Sequence, residues 1–133
     1  MSVIRRIQPE GLFANPAYTH VVAALGGQTV YISGQVATGP DGAVVGVGDL
    51  AAQTTQVMRN LQTALGSVGA TFADVVKITT FVVGYRPEHR AVISAGRSPF
   101  FPPGAPPAST LIGVEALAAP EWLIEIEAVA VID

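Results

Sequence analysis

A chain of 133 residues, half of them apolar and 13% charged, has the length of one domain and suits a well-filled core with further burial between subunits. A formal net charge of −3 gives no electrostatic reason to expect nucleic acid, and the absence of cysteine excludes disulfides, thiolate metal sites and cysteine nucleophiles. No apolar run is long enough to span a bilayer and the N-terminus lacks a signal-peptide core, so a cytoplasmic protein without membrane contact is expected.

Val3 to Ile7 reads as an edge strand, followed by a loop around Pro9, Gly11 and Asn15-Pro16. Val21 to Leu25 and Thr29 to Ser33 are apolar, β-branched runs parted by Gly26-Gly27, which is a hairpin signal. Gly39-Pro40-Asp41-Gly42 is a turn by composition. Asp49 reads as the N-cap of a helix to about Val68, with Leu50, Thr54, Val57, Met58, Leu61 and Leu65 on one stripe facing a sheet. Val75 to Val83 is a strand whose near-continuous apolar run predicts burial on both faces. Pro87 suits the first turn of a second helix to about Arg97. The prolines from Pro99 to Pro107 then make a stiff connection that cannot be helical. Two strands, about Ala108 to Val114 and Trp122 to Val131, complete an α+β domain over residues 1–133. Two helices on one face of a mixed sheet is the economical packing for that order.

Several chemistries fail on spacing. His20 and His89 sit in different elements with no partner at metal-ligand distance, so neither metal nor cofactor is expected. His20 reads as a hydrogen-bonded hinge residue, with a catalytic role as the alternative, and His89 as surface. Gly46-Val47-Gly48 lacks the third glycine and the lysine of a phosphate cradle, and entry into the helix explains it. No serine stands in a nucleophile elbow.

Two segments carry more. In Leu123-Ile124-Glu125-Ile126-Glu127-Ala128-Val129, alternation at period two puts Ile124, Ile126 and Ala128 on one strand face and Glu125 and Glu127 on the other. Carboxylates on an element that reads as central are costly unless solvated, paired or used. Ser33-Gly34, at a strand end, lets a ligand approach the backbone closely, with a simple bulge as the alternative reading.

Together with Pro106-Pro107-Ala108-Ser109-Thr110-Leu111-Ile112-Gly113-Val114, the Ile124-Glu125-Ile126-Glu127-Ala128 strand resembles the RidA/YjgF family of imine/enamine deaminases, also labelled L-PSP endoribonucleases. The resemblance extends to Tyr18-Thr19-His20, Ile32-Ser33-Gly34-Gln35, Asp49-Leu50 through Asn60-Leu61, and Asp74 to Val82. It implies the chorismate-mutase-like fold, with a mixed six-stranded sheet and two helices on one face. It also implies a homotrimer that binds a small molecule at each subunit interface. By the same resemblance Glu125 orients the attacking water, Ser33 and Gly34 line the pocket, and Tyr18 of a neighbouring subunit packs over the substrate. The chain departs from the family pattern at Ser109, where the deaminases carry a carboxylate-gripping arginine, and at Leu111, where they carry a cysteine.

The departure has a physical consequence. Arginine holds a carboxylate through two charge-assisted hydrogen bonds, and serine offers one neutral hydroxyl. An ungripped substrate charge near Glu125 costs roughly 2–5 kcal/mol, two to three orders of magnitude in affinity or rate. Arg97 is expected in solvent at the end of the second helix; the alternative is that the proline-rich connection folds it back as a replacement. Three functions stay open: hydrolysis of 2-imino acids with Glu125 as base, hydrolysis of a neutral imine or enamine in the same cleft, and a non-catalytic ligand-binding or regulatory trimer. Ribonuclease action, without a basic stripe or paired histidines, is the weakest.

Overall fold

The computed structural model describes residues 2–133 and builds six strands and two helices from them. β1 (Val3–Ile7) pairs antiparallel with β2 (Val21–Leu25). β3 (Gln28–Gln35), β4 (Val75–Val83), β5 (Ala108–Val114) and β6 (Ile124–Ile132) form a second sheet in the order β3-β6-β4-β5. Its β4–β5 pair is parallel and the others antiparallel, so the sheet is mixed as expected. The six strands therefore divide into a pair and a four-stranded sheet. Gly26-Gly27 does not close a hairpin, because β2 and β3 pair with β1 and β6 instead. Gly26 is needed for another reason: a Cβ there would fall 2.6 Å from Val131 Cγ1 and 2.9 Å from the Ile132 carbonyl.

Helix α1 (Leu50–Gly66) starts where Asp49 predicts, with the Ala52 N–H donating to its carboxylate at 3.0 Å. Its stripe of Thr54, Val57, Met58, Leu61 and Leu65 is buried against the sheet. Helix α2 (His89–Arg97) is shorter than expected, beginning after Pro87, and its Gly96 rests on Thr54 of α1. The core lies between the helices and one sheet face: Val75, Ile78 and Val82 of β4, and Ile124, Ile126, Ala128 and Ala130 of β6. β4 is not buried on both faces as its apolar run predicts. Its residues alternate between buried and half-buried, so among the described residues the second face is only partly covered. That open face carries Tyr31, 79% exposed, and Ile112, 40% exposed. The fold is α+β with both helices on one face, as the chorismate-mutase-like arrangement requires. No helix among the described residues is long and apolar enough to cross a membrane.

Candidate functional site

Glu125 reaches the open face because its neighbours Ile124 and Ile126 are fully buried on the helix side. In register it stands beside Phe81 of β4. Across β3 the ladder is broken: Ile32 pairs with Ala128 and Gln35 with Ile126, leaving Ser33 and Gly34 in a bulge without Cα partners. The Glu125 carboxylate lies over this bulge. A Cβ on Gly34 would overlap its Oε2 and fall 2.7 Å from Cδ and 2.9 Å from Cγ. Glycine at position 34 thus leaves room for the Glu125 side chain, whose flexible end an alanine would displace, and the half-buried carboxylate forms no ion pair among the described residues. Glu127, two residues on, is exposed beside Thr79.

Ser109 and Leu111 are not on this face. Ser109 is in register with Ile78 and Leu111 with Thr80, both buried beneath the helices, and Leu111 packs against the core. Within one chain the structure therefore joins Glu125 to Gly34 and Ser33, and sets Ser109 and Leu111 on the far side of the sheet. Tyr18 belongs to a separate loop, edge-on to His20 with ring centroids 5.1 Å apart. That loop is bound to the start of β5, where the Thr19 N–H donates to the Pro107 carbonyl at 3.1 Å and its hydroxyl to the Pro106 carbonyl at 2.5 Å. His20 is the hinge residue expected, with Nε2 2.7 Å from the Phe13 carbonyl and its N–H donating to Gln8 Oε1. His89 Nδ1 accepts from the Arg86 N–H at 3.0 Å and helps start α2. Among the described residues no cluster of His, Cys, Asp or Glu could hold a metal ion.

Arg97 departs most from its expected place. The connection folds over it, and it lines a cavity of about 370 Å³ instead of reaching into solvent. Its Nη1 donates at 2.9 Å to Thr80 Oγ1, a hydroxyl with no exposed surface in the middle of β4. Burial lowers the guanidinium pKa from its ordinary value. The signal overlooked in the sequence is Thr80 inside a largely apolar strand, because a buried hydroxyl needs a partner.

The profile of the family described as Endoribonuclease L-PSP matches residues 10–132. Protein DfrA of Myxococcus xanthus is 34% identical over 114 residues, 86% of this chain and 84% of its own. The chain belongs to the RidA/YjgF family. Among solved structures, the Rid-family protein YyfB of Yersinia pestis, described as of unknown function, is 46% identical with a TM-score of 0.92, covering 96% of this chain and 98% of its own. Rv2704 of Mycobacterium tuberculosis, a YjgF/YER057c/UK114 family member, is 32% identical with a TM-score of 0.64, covering 81% and 82%. RidA/YjgF membership accounts for the helices on a mixed sheet and for the strand that carries Glu125.

Proposed function

We propose that this RidA/YjgF protein hydrolyses small imines or enamines, with Glu125 activating the water, and that its clients lack the carboxylate of a 2-imino acid. The observation carrying this reading is the Glu125 carboxylate seated on the Gly34 backbone without an ion-pair partner among the described residues. A carboxylate so held is placed to take a proton from water, while the bulge at Ser33 and Gly34 brings backbone close enough beside it to meet a polar ligand atom.

In the reaction Glu125 takes a proton from water as its oxygen bonds to the imine carbon and the C=N pair moves onto nitrogen. Glu125 hands that proton to nitrogen, giving a carbinolamine; it then takes the hydroxyl proton and passes it to nitrogen as the C–O double bond forms and the C–N bond breaks, so that a carbonyl compound and ammonia leave. Glu125 has no cation within ion-pair distance among the described residues, and the one lysine on this face, Lys77, is engaged by the Thr110 hydroxyl, which supports a neutral client. Tyr31 and Ile112, large side chains left uncovered on the same sheet face as Glu125, support completion of the cleft by a second copy in a homotrimer, with Tyr18 of the neighbouring subunit as its cover. Both histidines are engaged in local structure, so ribonuclease chemistry draws no support from them.

The test measures ammonia release from imines generated in situ by an amino-acid or amine oxidase. Acceleration over solvent for non-carboxylated imines, lost in Glu125→Gln, is expected. Turnover retained in that variant would defeat the proposal. Ligand binding without any turnover, again in both proteins, would favour the non-catalytic trimer.

A further inference from the structure

The Arg97 cavity lies between α2 and the proline-rich connection, with the sheet separating it from Glu125. Its walls include Pro16, Phe101 and Pro103, and its floor is Ile78, all apolar. One side carries Arg97 with Ser94 and Ser98, and no acidic residue lines the space. A guanidinium has five N–H donors. Among the described residues only the bond to Thr80 uses one, and no carboxylate pairs with it. Neither serine hydroxyl has a side-chain hydrogen bond among the described residues.

A partly buried cation without a counter-charge favours a ligand that supplies one. The remaining donors form a planar fork suited to a carboxylate, which a single arginine neutralises. A phosphate dianion would leave charge uncompensated beside apolar walls. The volume falls at the small end of ligand pockets, roughly 300–1,000 Å³.

We infer that this cavity is a binding site for a small monocarboxylate with an apolar or aromatic body, its anion on Arg97 and its body against Phe101 and the prolines. The site is distinct from the Glu125 cleft and stands whether or not that cleft is catalytic. Pro16 and Pro107 line the cavity, and both belong to the segments that Thr19 ties together beside Tyr18. An occupant therefore braces the loop that carries Tyr18.

The experiment is calorimetric titration of the full-length protein with benzoate, phenylacetate and 3-methylbutanoate, against benzamide as the neutral isostere. At least one carboxylate should bind, and benzamide should bind roughly ten- to a hundredfold more weakly than benzoate. Arg97→Gln should weaken carboxylate binding by a similar factor, while Glu125→Gln leaves it unchanged. If Arg97→Gln does not fold, Ser94→Ala with Ser98→Ala and the benzamide comparison on the unaltered protein decide the matter. Benzamide binding as tightly as benzoate, a folded Arg97→Gln protein with undiminished affinity, or no carboxylate binding at millimolar concentration would overturn the inference. Loss of binding in Glu125→Gln would place the ligand in the other cleft and overturn it too.

Discussion

Replacing Gly34 with alanine puts a methyl group where the Glu125 carboxylate now rests. Gly34 has an ordinary backbone φ, so the substitution adds no backbone strain and its effect is steric. The new Cβ overlaps Oε2 and lies 2.7 Å from Cδ and 2.9 Å from Cγ, where 3.4 Å is ordinary contact. The side chain must therefore withdraw by about half an ångström or more along its length. Overpacking in a close-packed core costs about 1–3 kcal/mol, but here the clash is with the flexible end of a half-buried glutamate, so the cost falls at the low end of that range and is partly offset by about 0.4–1 kcal/mol from a less flexible unfolded chain. Activity should suffer more than stability. A catalytic group misplaced by about an ångström loses on the order of a hundredfold in rate, so Gly34→Ala should lose about ten- to a hundredfold in kcat with a modest fall in Tm. The assay pairs ammonia release with thermal unfolding, each repeated in a Glu125→Ala background. There the clash is gone, and Gly34→Ala should be nearly neutral for stability. An equal stability loss in both backgrounds, or full turnover in Gly34→Ala, would refute the reasoning.

Further outcomes follow from the same geometry. Gln53 is fully buried; its amide donates to the Gly46 and Glu121 carbonyls and accepts from the Leu123 N–H, so Gln53→Leu should lose roughly 2–4 kcal/mol in urea unfolding by orphaning three backbone groups. Asp49→Ala removes the α1 cap and should cost about 1 kcal/mol with an unchanged denaturant slope. Gly96→Ala, despite better helix propensity, sets a Cβ 2.7 Å from Thr54 Cγ2 and should lower Tm by prying α1 from α2. Burial lowers the Arg97 pKa, yet a guanidinium stays charged well above neutrality and a carboxylate ligand is ionised above about pH 5. Benzoate affinity should thus be flat between about pH 6 and 9, and a midpoint in that window would point to a different cation.

Much of the fold was legible because its signals are local. Asp49 caps α1 as read, β4 occupies Val75–Val83, and β5 occupies Ala108–Val114. Periodicity in Ile124-Glu125-Ile126 placed Glu125 away from the core, and Ser33-Gly34 showed as a bulge candidate before the ladder revealed one. Pairing between distant strands was less legible. Gly26-Gly27 carries hairpin chemistry, yet β3 finds β6 more than ninety residues away. The face of β5 that holds Ser109 is fixed by its parallel register with β4, which no residue of β5 announces. Arg97 was misplaced for the same reason. A charged residue at a helix end reads as solvated, and only the fold of the proline-rich connection and the hydroxyl of Thr80 bring it inside.

The most direct measurement compares the unaltered protein with Glu125→Gln for ammonia release across paired imines, with and without a carboxylate. General-base catalysis contributes roughly a hundred- to ten-thousandfold, so the variant should lose that factor on the neutral imines, and the carboxylated imines should react slowly with both proteins. Equal rates for the two proteins, or brisk hydrolysis of a 2-imino acid by the unaltered one, would contradict an account that rests on one unpaired carboxylate over Gly34.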